Sequence, residues 1–427
     1  MPRGFLLLQG PASPLFARLA DWLAARGERA FRLNFCAGDD LYPGAAPTWR
    51  FRGALQDLPE YLAERAQVHR ITDLVLFCEK FPVHRAAIAF AEREGLRLHV
   101  FDEGFVRPNW VTLQRGPVHP AHTLPRDPEW YLEVNSRLPD PGEGVRVQPA
   151  FTVRAAHDMA YHGANLANLF LYPGYRTHRP FGAAVEYAAW AQRYARFPWW
   201  LKRDAARVDE LIAMGAKYFF FPLQLNSDAQ LERNSPFGTM RNAIEHVLAS
   251  FARHAPAQTR LVVKNHPLDT GLAGYRRQFR ELARAFDLEA RLDYLETGSL
   301  ATLFDHAQGV VTVNSTAGLS ALQHARPTKA LGAAVYDLPR LTFQGALDEF
   351  WSSAWSAAPD MDVVRAFRNV LVHATQVNGG FYTAKGIATL LPGGERLVEP
   401  RSRLEDLLER FPHQAAPAAE WKTPALS

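Results

Sequence analysis

Two stretches of the chain alternate short apolar runs with longer segments in which apolar residues recur every third or fourth position. The first runs from "GFLLLQG" (4–10), strand-like, through "PLFARLADWLAARG" (14–27), a helix closing on Gly27, to "AFRLNF" (30–35), a strand. It continues as helix "LPEYLAERAQVHR" (58–70), strand "ITDLVLF" (71–77), helix "VHRAAIAFAEREG" (83–95) and strand "LRLHVFDEG" (96–104). The pattern predicts a doubly wound α/β unit. A second such unit starts near residue 215, with strands "KYFFFPLQ", "TRLVVKNHP", "GVVTVNS" and "TKALG" separated by helices "MRNAIEHVLASFARHA", "GYRRQFRELARAFD" and "TAGLSALQHAR".

The expected organisation is an N-terminal Rossmann-like domain over 1–150 and a helical, aromatic connecting segment over 151–205. A C-terminal Rossmann-like domain follows over 206–390, and a tail over 391–427 carries one short helix, "SRLEDLLERF". Two such halves imply a cleft between them, with ligands beyond the carboxyl ends of strands.

Composition narrows the picture. The 427 residues, 48% of them hydrophobic, are enough to build two cores. Forty-eight Lys and Arg against 44 Asp and Glu leave +4, a surplus that suits a phosphate-bearing ligand or an anionic membrane face and disfavours nucleic acid as a partner. The two cysteines, Cys36 and Cys78, lie in apolar segments without metal-ligand spacing and read as buried thiols of a reducing compartment. The apolar run before Gln9 is too short for a signal peptide, and no 18-residue apolar stretch occurs, so a cytoplasmic protein, or one on the inner membrane face, is expected.

Four predicted strands end on residues able to do chemistry: Gln9-Gly10-Pro11, Asp102-Glu103-Gly104, Lys264-Asn265-His266-Pro267 and Asn314-Ser315-Thr316. Ser315 and Thr316 stand where a strand becomes a helix, whose free N–H groups and positive dipole end make a phosphate cradle. Equally, Asn314 or Ser315 caps that helix and nothing more. His266, locked by Pro267, either meets a phosphate near neutral pH or is a turn histidine, and Lys264 adds a positive charge. Asp102 and Glu103 are adjacent acids at the end of an apolar strand. They either serve as base or nucleophile, or one of them pairs with Arg107 in a solvated turn. The "DMD" at Asp360 to Asp362 is a weak candidate for a metal pair.

Together, "LLLQGP", "FDEGFVRPNWVTLQRGPV", "YPGYRTHRP", "FFFPLQLNSDAQL", "VVKNHP" and "VTVNSTAGLSAL" resemble the capsular polysaccharide biosynthesis family whose members add the first β-Kdo residue to a phosphatidylglycerol-type lipid, over residues 5 to about 345. The resemblance implies a GT-B fold, CMP-Kdo as donor, retention of the β configuration, and neither cofactor nor metal. It implies Glu103 as the leading acid with Asp102 beside it, and His266 on the departing CMP phosphate. Ser315 and Thr316 would bind that phosphate, with Asn314 and Pro267 in the donor site. Lys264 and Arg107 would meet the anionic sugar or phosphate. Gln9 with Gly10, and Gln224 with Asn226, are further candidates for sugar or cytidine contacts. Other capsule biosynthesis and export proteins are the implied partners.

Two other functions compete: a transferase for another CMP-sugar such as CMP-sialic acid, and a non-catalytic glycolipid-binding partner of export. The segment Ala189 to Arg207 interleaves Trp190, Phe197, Trp199 and Trp200 with Arg193, Arg196, Lys202 and Arg203. It reads either as a reversible dock on anionic lipid or as packing between domains.

Overall fold

The computed structural model describes residues 2–79, 81–116, 123–147, 151–176, 182–225, 231 and 234–413. Its strands are β1 (Gly4–Leu7), β2 (Arg29–Asn34), β3 (Thr48–Arg50), β4 (Asp73–Phe77), β5 (Arg97–Glu103), β6 (Trp110–Arg115), β7 (Tyr218–Pro222), β8 (Arg260–Lys264), β9 (Leu292–Leu295), β10 (Gly309–Thr312), β11 (Thr328–Ala330) and β12 (Gln376–Asn378). They form two sheets, in the orders β12-β6-β5-β4-β1-β2-β3 and β11-β10-β7-β8-β9. The chain divides into two units, 1–118 with 138–180 and 369–412, and 119–137 with 181–368 and 413–427.

In the first unit β1 to β5 are parallel, and β6 and β12 add an antiparallel edge. Its strands are apolar on both faces because helices cover both. Phe5, Leu7, Val75 and Phe101 pack on one side with Leu15, Leu19 and Leu23, while Leu6, Leu74, Leu76 and Val100 pack on the other with Leu62, Ala87 and Phe90. In the second unit all five strands are parallel. Phe219, Phe221 and Val263 face the helix Met240–His254, and Phe220, Val262 and Val310 face Leu303 and Ala321. The architecture is α/β with two Rossmann-like units.

The boundaries differ from the sequence expectation. The segment 151–205 is divided: 151–176 packs in the first unit, and the helix Ala183–Ala213 in the second. The chain returns to the first unit within the helix Met361–Thr375, so β12 completes a sheet begun more than 250 residues earlier. β3 and β12, three residues each with a single apolar side chain, are too short to stand out by periodicity.

Candidate active site

In the first unit, β5 stays in the sheet to its end, with Asp102 opposite Thr112 and Glu103 opposite Val111. Successive strand residues point to opposite faces. Asp102 therefore shares a face with Leu98 and Val100, and Glu103 shares one with Phe101. The expectation of two carboxylates side by side is corrected: Asp102 meets its neighbour through the backbone, its Oδ1 accepting from Glu103 N–H at 2.7 Å. Glu103 itself faces Arg154 at 3.5 Å and Arg107 at 3.9 Å. Both pairs are part-exposed and add little stability; what they do is aim the carboxylate. Arg154 also lies over the Tyr382 ring, 4.8 Å from its centroid.

The turn after Glu103 admits only glycine, since a Cβ on Gly104 would lie 1.9 Å from the Trp110 carbonyl oxygen. Gln376 of β12 holds the turn from the other side. Its Oε1 accepts from Phe105 N–H and its Nε2 donates to Thr112 Oγ1, each at 3.0 Å, while Thr112 donates to the Glu103 carbonyl. The Arg107 guanidinium donates to the Gly104 carbonyl at 3.2 Å.

Gln9 and Gly10 follow β1, at the point where the strand order of this sheet reverses. Gln9 is buried, and its amide donates to Tyr161 Oη at 2.8 Å, which in turn donates to Asp39 Oδ1 at 2.7 Å. The Gln9 amide nitrogen thus holds the fold together, binding the end of β1 to the helix Phe151–Ala164 that carries Arg154. Burial pushes the Asp39 carboxyl above its usual range. Gly10, Pro11, Ser13 and Arg32 line a small cavity beside it.

In the second unit the strand order reverses between β7 and β10, where doubly wound sheets bind ligands. Gln224 and Asn314 meet there in a paired amide contact: Gln224 Nε2 donates to Asn314 Oδ1 at 2.9 Å, and Asn314 N–H donates to Gln224 Oε1 at 3.1 Å. Ser315 caps the helix Thr316–Gln323, its Oγ accepting from Ala317 N–H at 3.2 Å. Capping uses a lone pair of the hydroxyl and leaves its proton able to donate, so cap and cradle are compatible. Thr316 opens that helix. Tyr336 donates to the Ser315 carbonyl at 2.5 Å and lies so close that a Cβ on Gly318 would fall 2.2 Å from its Oη. Asn226 lies outside the described residues.

His266 follows β8. Its Nδ1 accepts from Leu268 N–H at 3.1 Å, which places the proton of the neutral ring on Nε2. Pro267 fixes the turn between them. The His266 N–H donates to Asn265 Oδ1 at 2.8 Å, and Asn265 Nδ2 donates to Asp269 and Glu296, each at 3.0 Å. Lys264 is 7% exposed and donates to the Asn265 carbonyl at 3.2 Å, bracing the turn. Burial first, then Arg193, lowers its pKa.

Beneath the turn lies a set of charges that sequence reasoning missed. Glu296 accepts from Arg193 at 2.9 Å and from Arg276 at 3.1 Å, and both Arg193 and Glu296 are 6% exposed. Asp204, fully buried, accepts from the Glu296 and Thr297 amides at 2.8 and 2.9 Å. The helix Ala183–Ala213 supplies Arg193 and Asp204. Two residues of the lipid-docking expectation, Arg193 and Trp200, are thus buried, and Arg203 pairs with Asp204 and stacks on Trp199. Phe197, Trp199 and Leu201 stay exposed, with Arg196 and Lys202 among them. Arg154, Gln376 and Glu296 sit in no motif, and no local signal marks them.

Asp360 caps the helix Met361–Thr375 through the Asp362 amide at 2.9 Å and pairs with Arg340. Among the described residues, no group of three or more His, Cys, Asp and Glu is placed to hold a metal, and no helix is long and apolar enough to cross a membrane. Cys36 and Cys78 are both buried thiols.

Residues 72–382 match the model of a family described as capsule polysaccharide biosynthesis protein. The chain belongs to that family. It is 33% identical over 379 residues to the capsule polysaccharide export protein KpsS of Escherichia coli, covering 88% of this chain and 96% of that protein. To the capsule polysaccharide modification protein LipB of Neisseria meningitidis it is 35% identical over 391 residues, covering 88% and 91%. A solved structure of Thermosulfurimonas dismutans KpsC, a β-Kdo 2,7 transferase, aligns with 93% of this family member and 100% of that chain at 13% identity and a TM-score of 0.44.

Proposed function

We propose that the protein is a retaining glycosyltransferase that moves β-Kdo from CMP-Kdo to a phosphatidylglycerol-type lipid, initiating the poly-Kdo linker of a capsular polysaccharide. The observation that carries this reading is the helix start at the β7/β10 switch point, where Ser315 and Thr316 offer hydroxyls and N–H groups. His266, with its proton on Nε2, donates a hydrogen bond to the same phosphate and stabilises its charge as it leaves. Glu103 attacks the anomeric carbon as the bond to the CMP oxygen breaks. The lipid hydroxyl then displaces Glu103, its proton passing to the released Glu103 carboxylate and from there to solvent, and two inversions preserve the β configuration. Asp102 fixes the backbone of Glu103, and Arg107 and Arg154 aim its carboxylate. The donor chemistry asks for no metal.

Incubation with CMP-Kdo and dispersed phosphatidylglycerol, reading CMP release and the mass of the lipid product, tests this. CMP-sialic acid in parallel separates the alternative donor. No CMP release from either would leave the protein a glycolipid-binding partner of capsule export.

His266→Ala is expected to weaken CMP binding about tenfold to a hundredfold and to slow transfer, since the lost bond reaches a charged group. Calorimetry with CMP reads the first effect. Unchanged affinity would make His266 a turn residue.

We further propose that the protein works on the inner membrane face, with Arg196 and Lys202 drawing the helix Ala183–Ala213 to anionic lipid. Because Arg203 is tied to Asp204, the informative variant is Arg196→Gln/Lys202→Gln. It should bind vesicles more weakly than the original protein at low salt and equally well at high salt, and unchanged binding at low salt sets the helix aside.

A further inference from the structure

Residues 165–171 of the first unit reverse the usual placement of polar and apolar side chains. The segment is a tight turn, Asn165–Ala167, followed by a short helix, Asn168–Leu171. Its asparagines face the protein: Asn165 Oδ1 accepts from Gly38 N–H at 2.8 Å, and Asn168 Oδ1 from Ala37 N–H at 2.7 Å. Tyr172, 1% exposed, closes the anchor by donating to Asp40 Oδ2 at 2.9 Å. The apolar residues point outward instead, with Leu166 82%, Leu169 75%, Phe170 83% and Leu171 39% exposed. The spacing of Leu166, Leu169 and Phe170 puts them on one side of the turn.

Water gives no reason to hold such a group out on built anchors, because a polar tip would satisfy the same asparagine bonds. We propose that this tip inserts into the boundary between headgroups and acyl chains of an anionic lipid bilayer. Its size argues against a protein partner. Four side chains present on the order of a few hundred Å², whereas each side of a standard protein interface buries about 800 Å². Its flanks suit anionic headgroups. Arg176 is exposed just beyond it, and Arg52, also exposed, precedes Gly53, whose carbonyl lies 2.0 Å from where a Cβ on Gly174 would fall. Two acids at this corner are already engaged: Asp57 accepts from the Ala54 amide at 3.0 Å, and Asp40 accepts from Tyr172 and pairs with Arg50 at 3.1 Å.

The inference deepens the lipid-acceptor reading, and vesicle binding without donor tests it separately. Leu169→Ser/Phe170→Ser should lower co-sedimentation with phosphatidylglycerol-containing vesicles about tenfold or more, at low salt and at about 0.5 M salt alike, because apolar insertion is not screened. The melting temperature should stay unchanged. Leu169→Cys carrying an environment-sensitive fluorophore should shift to the blue with these vesicles; the two native cysteines are buried and do not compete for the label. Retained binding by the double variant, or no shift of the probe, overturns the proposal. So does a lipid-free dimer of the unaltered protein that the variant abolishes, which would assign the tip to a second copy of the chain. Loss of vesicle binding with CMP release onto detergent-dispersed lipid retained supports it. Vesicle binding through the tip with no CMP release under any condition would sink the transferase reading and leave this one standing.

Discussion

Glu103→Gln abolishes transfer, by about a thousandfold or more, and leaves CMP affinity and the melting temperature near their original values. The size of the loss follows from the role: a residue that forms the bond to the sugar cannot be replaced by a neutral amide of the same shape. The small effect on stability follows from the structure, since both ion pairs of Glu103 are part-exposed and such pairs are worth about 0–1 kcal/mol. Asp102→Asn should be milder, because the amide oxygen still accepts from the Glu103 backbone. Transfer rates of the two variants, with CMP titrated calorimetrically, check this. A larger loss at Asp102 would reverse the two roles, and loss at neither would remove the acid site.

Glu296→Ala lowers the stability of the second unit by about 3–5 kcal/mol, because it leaves Arg193, 6% exposed, without its partner in a buried position. Replacing both members of the pair, as Arg193→Met/Glu296→Leu, should cost less than the single change. Denaturant titration distinguishes these outcomes, and a single variant within about 1 kcal/mol of the original protein would show that the pair is solvated. Burial raises the Glu296 carboxyl, but the Asn265 amide, Arg193 and Arg276 outweigh it, and its pKa lies below the usual carboxylate range. A depressed folded pKa means that this stability is present above the unfolded value, near 4.5, and is lost as pH falls through the folded one. The variant should therefore lack that part of the acid sensitivity. It should also bind CMP more weakly, since Asn265 loses the acceptor that helps it hold the His266 turn.

What the sequence determined was whatever local chemistry dictates. Buried parallel strands such as "DLVLF" and "RLVVK" need continuous apolar runs, amphipathic helices need their period, and helix ends need Gly27, Gly95 or a Ser315 cap. These features were legible, and so were the strand ends that carry Glu103, His266 and Ser315. The tertiary structure decided what depends on distant partners. Whether Asp102 and Glu103 stand together was settled by β6, which keeps both acids in the ladder and so sends them to opposite faces. Gln376 reaches the Glu103 turn only because the chain returns after the second unit to lay β12 on the first sheet. Arg193 looked like a lipid-facing charge until Glu296, some hundred residues away, was seen to accept from it. A sequence records which groups can pair, but burial and register, set by residues far along the chain, choose which of them do.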